Sequence, residues 1–177
     1  HDLLESEGIF DADAFVSLTG RDEENLLMAL TAKDSGVAKV LPKMSRPNYT
    51  ALVHDLGIDT VIVIRCGYRK FITYPSKYLM GKGCYEPGTD LLDMFLRLAD
   101  KHGMKFYFGL YDSGRYWDTG DLSWEIEDNK YVIDEVWQQY GSKHKSFGGW
   151  YISGEISRAT KGAIDAFHAM GKQCKDV

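Results

Sequence analysis

Apolar and polar positions change period repeatedly along the chain. Short β-branched or aromatic runs alternate with stretches whose apolar residues recur at helical spacing. Asp13–Thr19 (DAFVSLT) reads as the first strand, and DEENLLMALTAKDSG from Asp22 reads as a helix. In that helix Leu26, Leu27, Leu30 and Val37 fall near one face, and Gly36 supplies a stop. Lys39–Ser45 (KVLPKMS) is the second run, with Pro42 predicting a bulge or a strand end. Pro47 suits the first turn of a helix, and PNYTALVHDLG closes at Gly57. Thr60–Cys66 (TVIVIRC) is almost continuously apolar, as a strand covered on both faces must be. After the polar-aromatic stretch GYRKFITYPSKYLMGKGCYEPG comes the helix TDLLDMFLRLADKHG, for which Thr89 is the predicted N-cap. Lys105–Tyr111 (KFYFGLY) follows, then the loop DSGRYWDTGDLSWE and the helix EDNKYVIDEVWQQYG. FGGWYISGE is the last strand and SRATKGAIDAFHAMGKQCKD the last helix.

Strand–helix–strand repeats of this length predict an α/β protein built from five parallel βα units. The sheet is expected to be either open and Rossmann-like or a partial, half TIM barrel. Both long loops, and the turn carrying Glu155, follow the C-terminal ends of predicted strands. Parallel α/β proteins place their sites along that edge.

Composition narrows the field without naming a function. The 177 residues suit a single domain. With 44% hydrophobic, 27% charged and 13% aromatic residues, the chain has the material for a real core. A net charge of −5 argues against nucleic-acid partners and anionic membrane surfaces. No apolar run approaches the roughly 20 residues of a membrane span, and the HDLLESEG start lacks the features of a signal peptide. Cys66, Cys84 and Cys174 share no CxxC spacing, so neither a disulfide framework nor a zinc site is expected. His54, His102, His144 and His168 also lack ligand spacing, so no metal and no cofactor is expected.

Two different families are visible in the text of the chain. LLESEGIFDADAFVSLTGRDEENLLMALTAKDSGVAKVLPKMSRPNYTALVHDLGID resembles the second half of the RCK or Trk N-domain of potassium-uptake regulators, a Rossmann-like fold. This likeness covers residues 1–59. It would set Thr19 and the run Asp22–Asn25 toward a nucleotide, although the run also reads as an acidic first helical turn. No GxGxxG occurs anywhere, so the turn that brings pyrophosphate to a helix N-terminus is not expected. From about residue 58 onward, GIDTVIVIRCGYRKFITYPS, DLLDMFLRLADKHGMKFYFGLYDSGRYWDTGD, NKYVIDEVWQQYG and SFGGWYISGEISRATKGAIDAF resemble a bacterial TIM-barrel family described as glycoside hydrolases. The resemblance makes these segments strands two to four of that barrel. LGID, Leu56 to Asp59, suits both families and marks the join.

Two partial matches joined at a shared segment predict an engineered or recombined chimera without a designed catalytic function. It is read as one domain over 1–177, with a Rossmann-type fragment at 1–59 and a barrel-type fragment at 60–177. The alternative is a carbohydrate-binding or glycoside-hydrolase-like protein using the region of Glu155. By resemblance Glu155 occupies the place of a barrel hydrolase's acid/base carboxylate, here vestigial for want of a positioned partner. Asp112, or Asp118 or Asp121 in the following loop, is a partner candidate by position. Tyr111, Tyr116, Trp117 and Trp124 carry aromatic faces suited to stacking on sugar rings, and Arg65 and Tyr68 would add polar contacts. Trp137 and Trp150 are expected in the core.

Both parent families set consecutive strands side by side, which implies the strand order 1-2-3-4-5. Crossovers that all step one way place every helix on one face of the sheet. The opposite face, roughly 480 Å² for five strands, is near the limit of what a monomer exposes. Val61, Val63, Arg65, Tyr107, Tyr111, Tyr151 and Ser153 would share it. A homodimer through that face is expected, with the short Leu3–Glu7 helix as the other cover.

Overall fold

The computed structural model describes residues 6, 8, 11–43, 57, 59–154, 156 and 160–177. In chain order the elements begin with β1 (Ala14–Ser17), α1 (Asp22–Asp34), β2 (Lys39–Pro42) and β3 (Thr60–Val63). Next come β4 (Gly67–Tyr68), β5 (Phe71–Ile72), α2 (Lys77–Gly81), α3 (Leu91–His102), β6 (Lys105–Gly109) and β7 (Tyr111–Asp112). The last are α4 (Tyr116–Thr119), α5 (Ser123–Val136), a π-helical turn (Trp137–Gly141), β8 (Phe147–Tyr151) and α6 (Ala163–Asp176). The predicted helix from Pro47 and the Leu3–Glu7 helix fall outside the described residues.

The architecture is mixed α/β with parallel sheets and no closed barrel. β1 and β2 pair in parallel, Ala14 opposite Lys39 and Ser17 opposite Pro42. β3, β6 and β8 form a parallel three-stranded sheet with β6 central. One bridge, Lys43 to Ile62, links the pair to the triple. The expected single sheet of order 1-2-3-4-5 is therefore not supported: the strands form two ladders. Pro42 ends β2, as its missing N–H requires, and leaves one residue pair to make the connection.

Several local expectations need correction. The buried face of α1 is Asp22, Asn25, Ala29 and Ala32, not the leucine stripe; Leu27 is 66% exposed. Small side chains let this helix lie close on a sheet of two strands. The predicted strand through Cys66 stops at Val63, and the chain then enters the two-residue strand β4. β4 pairs antiparallel with β5 and parallel with β7, making a small second layer inside what reads as loop. The N-cap of α3 is Asp90, whose carboxylate accepts from Asp93 N at 3.0 Å, while Gly103 ends the helix at φ 69°. α5 starts at Ser123, earlier than its periodicity indicates.

The main core is aromatic. Tyr74, Phe95, Phe106 and Phe108 are almost wholly buried, and Tyr74 meets Phe108 and Tyr140 edge-on. A second cluster under α6 joins Leu110, Ile133, Ala166 and Met170. Trp150 is partly buried and packs against both clusters; Trp137 is partly buried against Phe147.

Candidate functional site

The C-terminal ends of β3, β6 and β8 converge because glycine at 109 permits it. A Cβ there would stand 2.0 Å from the carbonyl carbon of Ile64, so any other residue would push the strands apart. Cys66 N donates to Gly109 O at 2.8 Å and carries the chain over the end of β6. Asn129 then secures β7 to α5: its Oδ1 accepts from Tyr111 N and its Nδ2 donates to Tyr111 O, each at 2.8 Å.

Two carboxylates lie behind this edge. Asp112 is wholly buried, accepts from Gly114 N at 2.8 Å and sits 3.3 Å from Nε of Arg65. Glu125 is 1% exposed and accepts from Ser113 Oγ at 2.5 Å, while its Oε2 has no hydrogen-bond partner among the described residues. Burial pushes the Glu125 carboxyl up, and the Asp112 charge adds to the effect; the hydrogen bond from Ser113 opposes it.

A cavity of about 170 Å³ opens at the strand ends, lined by Leu18, Lys43, Ile64, Arg65, Tyr151, Ser153 and Gly154. Leu18 and Lys43 follow β1 and β2, so the first part of the chain supplies one wall. Ser153 Oγ donates to Ile64 O and holds the far wall in place. The cavity combines two cationic side chains, a phenol and a hydroxyl. Such a lining can donate to a polyhydroxylated ligand and offer it one ring face.

The residues singled out by sequence end in different surroundings. Arg65 lies in the cavity wall and Tyr68 beside it, the guanidinium carbon 5.4 Å from the ring centroid. Trp117 and Trp124 are exposed at 49% and 39%, with Arg115 lying 4.2 Å over the Trp124 ring. Tyr111, Asp112 and Tyr116 are buried, and none of them lines the strand-end cavity. The Tyr111 hydroxyl instead donates to Arg69 O and closes a loop. Glu155 falls outside the described residues. Asp118, in α4, and Asp121, just after it, are exposed and do not line the cavity.

Within the run Asp22–Asn25, Asp22 and Asn25 are buried. Asn25 Oδ1 accepts from Thr19 N at 2.7 Å, and its Nδ2 donates to Thr19 O and Lys43 O. His144 pairs with Asp100 at 2.7 Å, and His54 lies outside the described residues. No group of three potential metal ligands occurs among the described residues. Lys43, Ser153 and Glu125 were not singled out as site residues. Lys43 and Ser153 carry a weak signal, each standing just beyond a strand's C-terminal end; Glu125 carries none.

A family model described as "Domain of unknown function (DUF4434)" matches residues 45–177, and one described as "TrkA-N domain" matches residues 1–64. A Trk system potassium uptake protein TrkA homolog from Methanothermobacter thermautotrophicus is 34% identical over 109 residues, which cover 58% of this chain and 49% of that protein. TrkA homolog 2 of Methanosarcina mazei is 37% identical over 81 residues, or 46% of this chain and 17% of that protein. A crystal structure described as "a putative alpha-L-fucosidase" from Bacteroides thetaiotaomicron is 78% identical with a TM-score of 0.70, covering 73% of this chain and 40% of that one. The chain thus spans less than half of each of these relatives. Its composition is two-part, as the two resemblances indicated.

Proposed function

The chain belongs to the DUF4434 family through residues 45–177, and from that premise we propose that its strand-end cavity binds a sugar without turning it over. The observation that carries the reading is the convergence of Lys43, Arg65, Tyr151 and Ser153 on one cavity at the C-terminal edge of parallel strands. The likeness to a structure described as a fucosidase supports L-fucose as the first ligand to try. At about 170 Å³ the cavity is below the roughly 300–1,000 Å³ of drug-sized sites and suits a single ring.

The absence of turnover rests on the carboxylates. Glycoside hydrolysis normally uses two, roughly 5–9.5 Å apart across the bond. Among the described residues neither Asp112 nor Glu125 lines the cavity; one is paired with Arg65 and the other lies behind Ser113. Calorimetry with L-fucose and assays with an aryl α-L-fucoside test the reading. Saturable binding that weakens in Lys43→Ala, with no turnover, is expected. Absence of binding would overturn it, and turnover abolished in Glu155→Gln would replace it with a hydrolase.

The same reading treats 1–59 and 60–177 as parts of separate ancestry, joined by recombination or engineering where the two family matches overlap, at 45–64. Its sheet is one layer in the order β1-β2-β3-β6-β8, for which the Lys43–Ile62 bridge is the support. A second copy of the chain then covers the open face.

A further inference from the structure

A second cavity, of about 210 Å³, shares no lining residue with the strand-end cavity and lies between the β4–β5 turn, α2 and α5. Arg69, Lys70, Lys82 and Arg115 line it, together with Tyr111, Ser113, Cys84 and a single carboxylate, Asp128. That carboxylate is already engaged by Lys82 Nζ at 2.5 Å and by the Tyr78 hydroxyl at 2.9 Å. Arg69, Lys70 and Arg115 make no ion pair with a carboxylate among the described residues. Three uncompensated cations around one small cavity are notable in a chain whose net charge is −5.

Both guanidiniums are held before any ligand arrives. Arg69 lies 5.3 Å over the Tyr68 ring and Arg115 lies 4.2 Å over the Trp124 ring, which limits the rotamers each must give up on binding. The backbone of Arg69 is unusual as well. It is the one described non-glycine residue with positive φ, at 54°, in a two-residue hairpin turn where Gly or Asn is cheapest. Hydrogen bonds keep it there: its N–H donates to Asp112 O at 2.9 Å, and its carbonyl accepts from the Tyr111 hydroxyl. An arginine placed where it costs stability, and lining a cationic cavity, fits a binding role.

We propose that this cavity binds the tetrahedral oxyanion of a phosphate or sulfate ester, with Arg69 and Arg115 as the forked donors and Lys70 supplying charge. Guanidinium groups match such oxyanions through paired N–H donors. The size of the cavity excludes an extended polyanion, and the negative net charge of the chain disfavours one.

Calorimetry on the full chain at low ionic strength tests the site, with inorganic phosphate and inorganic sulfate in separate arms and chloride at matched ionic strength as the control. Saturable binding of either oxyanion, without chloride competition, is expected; the tighter arm names the ester. Arg69→Gly suits the positive φ, so the fold is retained, and it should weaken binding about tenfold or more. Lys70→Ala, at an exposed position, should weaken it by a smaller factor. L-fucose binding should be unchanged in both variants, because neither residue lines the strand-end cavity. Equal binding of chloride, or oxyanion affinity unchanged in both variants, would overturn the proposal.

Discussion

The β1-α1-β2 unit and the β3-β6-β8 region solve the same packing problem with different materials. In the first, α1 approaches its strands on Ala29 and Ala32. Its ends are fastened by polar groups, with Asn25 bridging the Thr19 backbone and the Lys43 carbonyl. In the second, large aromatic side chains fill the space, and Phe108 touches both Tyr74 and Trp150 edge-on. A small unit with little apolar area depends on directional bonds for its register. A larger one can rely on volume, because burial scales with area while each net hydrogen bond contributes only about 0.5–1.5 kcal/mol. Val16, Leu18 and Leu27 of the first unit are exposed, whereas Phe106 and Phe108 of the second are buried.

The contrast can be broken most severely at Phe108. Phe108→Ala should cost about 3–5 kcal/mol by opening a cavity in the aromatic core, measured as a lower urea midpoint. Asn25→Ala should cost about 1–3 kcal/mol, since it strands buried backbone groups. Hydrogen exchange would sharpen the comparison, losing protection at 14–17 and 39–42 while 105–109 stays protected. Equal loss in both regions would show that they unfold as one unit.

A smaller effect is expected from Glu125. Its folded pKa is raised, so the protonated form is the better fit to the fold. The stability this supplies is fully present below the unfolded pKa of about 4.3 and is lost as pH rises through the folded value. Glu125→Gln should therefore raise the melting temperature relative to wild type at pH 8, with the gap closing near pH 4. A gap independent of pH would remove the titration argument. Smaller still is the expected response of the first unit to NADH or ATP: calorimetry should show no low-micromolar binding, given the missing GxGxxG. Light scattering should return a dimer; a monomer at high concentration would end the idea of a second copy on the sheet face.

Legibility followed the strength of local signals. Gly36 and Gly103 marked helix ends, and both have positive φ. The run TVIVIRC located β3, and KFYFGLY located β6 and β7. The β4–β5 hairpin was not readable, because its turn is Arg69-Lys70 and not the Asn-Gly that signals such turns. Tyr111 and Tyr116 look like surface aromatics in a loop. They are buried because β7 and α4 turn them inward, which no spacing in the loop announces.

By itself the sequence determined the class of the fold, the approximate position of most elements and the two-part composition. Each of these depends on periodicity, capping or contiguous text, which are local properties of the chain. Tertiary structure alone decided that Lys43 and Arg65 share a cavity, and that Asp112 is buried against Arg65. Only the folded chain sets Arg69 beside Arg115, since the two come from different loops. Charges and rings acquire a role through the neighbours that desolvate, pair or stack on them, and those neighbours lie tens of residues away along the chain.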